Sequence, residues 1–219
     1  MKSRIKARCV LVVAPMLVIV NSIFADTPAF TLVAVSTNPL PPFTGTRAWQ
    51  FEIGGAPMGF FVTQLGVFDA AADGLVNAHQ VGLWRTDGTL LTSATVPAGT
   101  AAPLIGGFRW VSISWVFIPY ALGDYRIGAQ YSADDADLFA TPSSPTRSFE
   151  VSPFPLAGYT GLGTDLPYPA WPTRGSCPEC FGPKLWDANF QFVAAPEPSV
   201  WWLLAPGLLC LWAHHRQRH

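Results

Sequence analysis

The chain has 219 residues, of which 50% are hydrophobic and 12% are charged, whereas about 25% charged residues is usual for a globular protein. Its 13% of aromatic residues excludes a disordered chain. Residues 26–198 carry seven basic and fourteen acidic side chains, a net charge of −7, with Lys184 as their single lysine. This balance argues against nucleic-acid binding, which needs clustered basic residues.

The N-terminal segment has the pattern of a secretory signal peptide. Four basic residues lie between Lys2 and Arg8, an apolar run follows over residues 9–20, and Ala25 stands directly before Asp26. This order predicts export, with cleavage by signal peptidase after Ala25. The alternative is an uncleaved membrane anchor, but the apolar run is shorter than the roughly 20 residues that span a bilayer.

Residues 26–193 are predicted to form a single all-β domain, a β-sandwich of jelly-roll-like arrangement. Short runs rich in β-branched and aromatic residues alternate with Gly, Pro, Asp and Asn, which are strand and turn signals. Many short strands at this spacing favour two packed sheets. The predicted strands are, in chain order, Phe30–Val35, Ala48–Ile53, Phe60–Phe68, Val81–Arg85, Leu90–Val96, Trp110–Ile118, Tyr125–Tyr131, Arg147–Val151 and Asn189–Val193.

Two of these runs give more detailed predictions. Asp87-Gly88 between β-prone runs predicts a tight hairpin, because Gly accepts positive φ without steric cost and Asp tolerates it. Further on, alternation places Val111 and Ile113 on one face and Trp110 on the other, together with serines. Trp110 is therefore the candidate for an exposed ring that stacks on carbohydrate. The alternative is that its ring fills the core, as strand aromatics usually do.

Oxygen-bearing side chains cluster between two predicted strands. Asp69, Asp73, Asn77 and His79 lie within eleven residues, and hard oxygen ligands in a loop favour Ca²⁺. The pattern does not match an EF-hand loop, and a polar loop with Asx turns is the favoured explanation. A second acidic patch over Asp134–Asp137 is interpreted as a solvated loop.

Two cysteines, Cys177 and Cys180, lie in the predicted body, whereas Cys9 and Cys210 lie in the terminal segments. Outside the cytoplasm the body pair is expected to form a disulfide that staples a loop. A redox role would need the first cysteine at a helix N-terminus, and structural zinc needs four ligands. The surrounding Gly- and Pro-rich sequence indicates a loop, so both alternatives are disfavoured.

The sequence shows no set of catalytic residues. His79 is the only histidine outside the C-terminal segment, and no serine stands in a G-x-S-x-G elbow. A glycosidase needs two carboxylates across a cleft, and nothing in the sequence marks such a pair. We therefore expect a protein that is not an enzyme.

The C-terminal segment, residues 194–219, has three parts. Pro196-Glu197-Pro198 precedes an apolar run over Val200–Ala213, and a terminal cluster contains Arg216 and Arg218. The run has 14 residues, short for a confident span, but its tryptophans and the basic end fit a short transmembrane anchor with a cytoplasmic C-terminus. This order resembles the PEP-CTERM sorting signal of Gram-negative bacteria. The resemblance implies recognition and cleavage by exosortase, a membrane-embedded cysteine peptidase, in bacteria that make exopolysaccharide.

The body itself is similar, over Val62–Tyr131, to an uncharacterised bacterial β-sandwich domain often found ahead of this sorting signal. That domain has no firm activity, so the similarity implies a fold and no function. The sequence segments that carry this similarity are Leu65-Gly66-Val67-Phe68-Asp69, Asp73-Gly74-Leu75, His79-Gln80-Val81-Gly82-Leu83-Trp84, Pro103-Leu104-Ile105-Gly106-Gly107-Phe108-Arg109 and Tyr125-Arg126-Ile127-Gly128-Ala129.

Together these patterns predict an exported, non-catalytic protein of the cell envelope or extracellular matrix. Its expected partners are signal peptidase, exosortase, the inner membrane through the C-terminal segment, and exopolysaccharide. The alternatives are a secreted hydrolase acting on polysaccharide and a calcium-dependent adhesin.

Overall fold

In a computed structural model of the chain, the described residues are 26–32, 35–39, 44–54, 56, 58–120, 123–142, 145–170 and 187–195. The predicted signal peptide, the segment from Pro196 onward and the pair Cys177 and Cys180 lie outside them. The described part contains no helix that is long and apolar enough to cross a membrane.

The regular secondary structure of the described residues is β-strand. The strands are, in chain order, β1 (Thr27–Pro28), β2 (Phe30–Leu32), β3 (Val35–Pro39), β4 (Gly45–Ile53), β5 (Phe60–Phe68), β6 (His79–Arg85), β7 (Leu90–Val96), β8 (Leu104–Ile105), β9 (Phe108–Ile118), β10 (Tyr125–Tyr131), β11 (Leu138–Pro142), β12 (Pro145–Arg147), β13 (Val151–Leu162) and β14 (Ala188–Ala194).

Ten of these strands form two five-stranded antiparallel sheets. Sheet one has the order β1-β14-β5-β9-β8, and sheet two has the order β13-β4-β10-β6-β7. The remaining strands pair as β11 with β3 and β12 with β2. The last described strand, β14, is thus an inner strand of sheet one.

Aromatic side chains from both sheets meet in one core. Trp49 and Phe51 of β4 pack against Phe190 of β14, with ring centroids 6.2 and 4.9 Å apart. The Trp49 indole Nε1–H also donates to the carbonyl oxygen of Ala188 at 2.7 Å. The indole therefore buries its ring and satisfies its polar atom across the two sheets. The expected all-β, sandwich-like architecture is confirmed.

The predicted strand positions hold best where the signal is local. Phe60–Phe68, Leu90–Val96 and Tyr125–Tyr131 are confirmed with the same bounds. The prediction of a strand over Arg147–Val151 is wrong, because residues 148–150 form a turn between β12 and β13. The short strands β1, β3, β8 and β11 were not predicted, since two to five residues give little periodicity to detect. The twelve-residue β13 was predicted only at its first residue, Val151.

The predicted hairpin joins β6 to β7. The Gly88 amide donates to the carbonyl oxygen of Arg85 at 3.1 Å, and Gly88 has a φ of 94°. The Asp87 carboxylate accepts the Thr89 amide at 2.8 Å. Asp87 therefore stabilises the turn through its side chain while Gly88 supplies the positive φ.

The strand register defines two ends of the sheet pair. At one end, Phe60 of β5 lies opposite Ile118 of β9 and Ala194 of β14. The Tyr125 hydroxyl, at the start of β10 in sheet two, donates to the carbonyl oxygen of Pro119 at 3.2 Å, so the two sheets meet there. We call this the exit end, because the last described strand ends at it.

The opposite end is called the far end. It contains the end of β5 at Phe68, which lies opposite Phe108 at the start of β9. In sheet two it contains the start of β6 at His79 and the end of β10 at Tyr131. The loops that follow β5 and β10 therefore lie at the far end.

Candidate functional site

Asp69, the first predicted calcium ligand, forms a buried ion pair. Its Oδ2 accepts a hydrogen bond from Arg109 Nε at 2.8 Å and from the Gly74 amide at 3.0 Å. The Arg109 guanidinium also donates to the carbonyl oxygens of Ala102 and Ala72, at 3.1 and 3.2 Å. The charge of Asp69 is thus balanced by Arg109, and the pair ties the loop after β5 to β9.

The backbone around this pair is tightly constrained. Ala72 has a φ of 60°, a conformation that is uncommon for a residue with a side chain. Gly74 has a φ of 115°, and a Cβ there would come within 2.8 Å of the Gly99 carbonyl carbon. The Arg109 guanidinium, which donates to the carbonyl oxygen of Ala72, therefore helps to hold a segment of strained backbone in place.

The four predicted calcium ligands do not form one site, so that prediction is corrected. Asp73 is exposed, and Asn77 donates its backbone amide to Asp137 Oδ2 at 3.1 Å. His79 is fully buried. Among the described residues, histidine and carboxylate donor atoms gather within 4.8 Å of one another at His79, Asp135 and Asp137. The partners come from the second acidic patch, which the sequence analysis interpreted as a solvated loop.

His79 is the centre of this second cluster. Its Nε2 lies 2.8 Å from Asp137 Oδ2, and its Nδ1 lies 2.9 Å from the carbonyl oxygen of Gln130. Asp135 Oδ2 is 3.7 Å from the same Nδ1. The imidazole also packs on the Tyr131 ring, with centroids 4.7 Å apart.

Asp137 is bound from several directions. Its Oδ1 accepts the Val76 amide at 2.8 Å, and its own amide donates to Asp135 Oδ1 at 3.0 Å. Together with the bonds from Asn77 and His79, these contacts join the loop after β10 to the residues before β6. The cluster is therefore a fully bonded polar network that fixes two loops of the far end.

The hydrogen bonds define the protonation state of His79. Both ring nitrogens face oxygen atoms that only accept, the Gln130 carbonyl and the Asp137 carboxylate, so both contacts are hydrogen bonds when the ring is a doubly protonated imidazolium. Burial opposes the charge, but the hydrogen bonds from the ring to Asp137 and Gln130 and the charges of Asp135 and Asp137 outweigh it. The pKa of His79 is therefore raised above 6.5.

The pKa of Asp137 shifts in the opposite direction. Burial disfavours its ionised form, but the bonds from His79 and from the amides of Val76 and Asn77 stabilise the carboxylate more. The pKa is therefore lowered from its ordinary value of 3.8. Because a metal would need a neutral His79 with one free nitrogen, this geometry fits a proton shared in an ion pair better than a metal centre.

A polar cleft of about 330 Å³ opens beside the cluster. Asp135 and Asp165 both line it, together with Gln130, Tyr131 and Asn77. Asp135 is half-buried, whereas Asp165 is exposed. Nothing in the sequence marks these two carboxylates as a pair, since 30 positions separate them and only the fold brings their loops to one cleft.

Trp110 is buried, so the prediction of an exposed ring there is wrong. It is 1% exposed, and its Nε1–H donates to the carbonyl oxygen of Ile105 at 3.0 Å. The ring lies over Gly66, where a Cβ would come within 2.6 Å of it. The predicted alternation is correct at Ser112 and Ser114, which are exposed, but the Trp110 ring lies in the hydrophobic core beside Phe108, with ring centroids 5.7 Å apart.

The exposed aromatic residues lie further along β9. Trp115 and Phe117 are 64% and 45% exposed. Both rings contact Phe61 of β5, with centroids 5.9 and 5.0 Å apart. The sequence analysis missed them because the second half of this strand is continuously apolar and carries no alternation. An irregularity in the pairing of β5 with β9 between Val62 and Gln64 accompanies the change of pattern.

The remaining predicted site residues lie outside the described part of the chain. These are the disulfide pair Cys177 and Cys180 and the sorting motif Pro196-Glu197-Pro198, so both stay predictions. Comparison with protein-family models, with curated proteins and with solved structures finds no match to this chain.

Proposed function

We propose that this chain is an exported, non-catalytic protein of the cell envelope or extracellular matrix, sorted by exosortase and anchored in the inner membrane through its C-terminal segment until it is cleaved. The observation that carries the proposal is the three-part order of that segment, Pro196-Glu197-Pro198, the apolar run Val200–Ala213 and the basic end. The signal-peptide pattern before Asp26 supports export of the residues between.

The described body is compatible with removal of both segments. Asp26 accepts hydrogen bonds from Thr63 Oγ1 and Gln64 Nε2, at 2.8 and 2.9 Å. At the other terminus the Ala195 amide donates to the carbonyl oxygen of Gly59 at 3.0 Å. Cleavage after Ala25 or beyond Ala195 would leave every described strand intact. A jelly-roll-like sandwich with a signal peptide and a sorting tail is the arrangement that we propose.

Association with exopolysaccharide follows only from the family resemblance. Trp110, the residue predicted to stack on sugar rings, is buried and offers no ring face. The calcium-dependent adhesin is also less favoured, because Arg109 neutralises Asp69 and His79 binds Asp137 as an imidazolium.

A polysaccharide hydrolase is the second candidate, and the cleft favours it. Asp135 and Asp165 are two carboxylates that line one polar cleft, and glycoside hydrolysis uses a pair of carboxylates across a cleft. Hydrolase activity on polysaccharide that is lost in both Asp135→Asn and Asp165→Asn would replace the non-catalytic proposal. Asp73→Asn, at an exposed carboxylate outside the cleft, is the matched control.

Mass spectrometry of the protein from its native host tests sorting directly. We expect a mature N-terminus at Asp26 and a mature C-terminus near Pro198. A variant with alanine at Pro196, Glu197 and Pro198 should keep the basic end. A mature wild-type protein that still ends in His219 would contradict processing by exosortase.

A further inference from the structure

The chain leaves sheet one at a defined place. β14 ends at Ala194, opposite Phe60 at the start of β5, and the next amide, that of Ala195, donates to the carbonyl oxygen of Gly59. Ala195, the last described residue, is therefore held beside the loop that precedes β5, at the exit end.

Exposed apolar side chains gather around this place. Trp115 and Phe117 of β9 lie one strand away from β14, across β5, and Phe117 pairs directly with Phe61. Met58, in the loop before β5, is 43% exposed, and Tyr120, just after β9, is 52% exposed. Clustered apolar exposure of this kind marks a site of interaction rather than scattered surface residues.

The sequence limits how far this end can lie from the C-terminal apolar run. Only five peptide links separate Ala195 from Val200, and a fully extended chain spans at most about 3.6 Å per residue, or about 18 Å here. The headgroup layer on one side of a bilayer occupies roughly 5–8 Å of that reach. If Val200–Ala213 lies in a bilayer, as the proposed function holds, the exit end lies close to the headgroups.

We infer that the exit end docks on the lipid bilayer, with Met58, Trp115, Phe117 and Tyr120 in the interfacial region. This inference rests on the proposed C-terminal anchor. Trp and Tyr side chains favour the boundary between headgroups and hydrocarbon, where one part of the ring is apolar and the other meets water. The proposed C-terminal anchor would hold these four side chains at the boundary between headgroups and hydrocarbon.

The charges near the exit end specify the kind of lipid surface. Glu52, near the end of β4, is exposed, and so is Arg147, which lines one pocket with Gly54, so charges of both signs lie near this end. Attraction to anionic headgroups therefore contributes little, and burial of apolar side chains drives docking. Docking should occur on zwitterionic phosphatidylcholine vesicles and should change little with salt.

Hydroxyl-radical footprinting of the full chain in phosphatidylcholine vesicles tests the inference, because Met, Trp and Tyr side chains are readily oxidised. Vesicle-bound protein should show about three-fold less oxidation at Met58, Trp115 and Tyr120 than protein in solution. Ile105 and Leu162, exposed apolar residues of the far end, should be unchanged. Protection that appears only when a polysaccharide is added would overturn the lipid assignment.

A pair of variants separates docking from anchoring. Trp115→Ser with Phe117→Ser should still sediment with vesicles but lose the protection of Met58 and Tyr120. Ile105→Ser with Leu162→Ser, the matched control, should keep that protection. Wild-type protein that sediments with vesicles without protection overturns the docking inference and leaves the anchor standing. Wild-type protein that does not sediment overturns the anchor and the inference together.

Discussion

The two ends of the sheet pair use opposite chemistry. At the far end, charged side chains are buried and paired, Asp69 with Arg109 and His79 with Asp137. At the exit end, large apolar side chains such as Trp115 are exposed to solvent. Buried charges that are fully bonded fix loops, whereas exposed apolar groups remain available to a partner. Substitutions at the far end should therefore change stability, and those at the exit end should change binding.

Two tryptophans of one strand provide the sharpest test of this difference. Trp110→Ala should lower the free energy of unfolding by about 3–5 kcal/mol, because the ring is buried and leaves a cavity. Trp115→Ala should change it by no more than about 0.5 kcal/mol. Denaturant unfolding of both full-length variants measures the difference. Equal losses would show that Trp115 also supports the fold.

The ion pair at Asp69 should have the next largest effect. Asp69→Ala leaves the buried guanidinium of Arg109 without its carboxylate partner. We expect the free energy of unfolding to fall by about 3 kcal/mol. Asp73→Ala, four residues away and exposed, is the control and should be nearly neutral. Thermal unfolding of each variant measures the loss of stability. Equal melting temperatures for Asp69→Ala and Asp73→Ala would contradict an anchoring role for Asp69.

The His79 cluster should make stability depend on pH. The pKa of His79 is raised in the folded protein. Its contribution to the free energy of unfolding is therefore present below pH 6.5 and is lost as the pH rises through the folded pKa. Because the folded pKa of Asp137 is lowered, its contribution is present above pH 3.8 and is lost as the pH falls through the folded value. Stability should therefore be greatest between these values.

The variant His79→Gln tests this pH dependence. We expect it to lower the free energy of unfolding by about 1–3 kcal/mol near pH 5.5. The variant should also lose the decline of melting temperature above neutral pH. Asp134→Asn, at an exposed carboxylate of the same loop, is the control. A wild-type profile that is flat from mildly acidic to alkaline pH would contradict the ion pair.

The smallest effect is expected from a chelator. Adding a calcium chelator to the purified chain should leave the melting temperature unchanged, because Arg109 already balances Asp69. A melting temperature that falls with the chelator and rises again when Ca²⁺ is added would support the calcium-dependent adhesin.

The sequence predicted the features that depend on neighbouring residues. The β6–β7 hairpin follows from Asp87-Gly88, and the bounds of β5, β7 and β10 follow from runs of strand-forming residues. It did not predict the partners of Asp69 and His79, which lie 40 and 58 positions away. Closeness in the sequence suggested one calcium loop, whereas the fold sends these two side chains to separate partners.

Burial was the least predictable property of single residues. Alternation places Trp110 on the same face as two exposed serines, yet its ring packs in the hydrophobic core beside Phe108. Conversely, the second half of β9 is continuously apolar, and yet Trp115 is exposed. Both outcomes depend on which segment packs over a strand, which periodicity alone cannot specify.

The inner position of β14 determines the order in which the protein can be completed. Residues 188–194 pair with β1 on one side and with residues 60–67 of β5 on the other. During synthesis from the N-terminus, sheet one therefore lacks its second strand until the last described strand has been made. Contacts between such distant parts of a chain form slowly. Truncation at residue 187 would therefore leave β5 as an edge strand of sheet one and remove the strand with which β1 pairs.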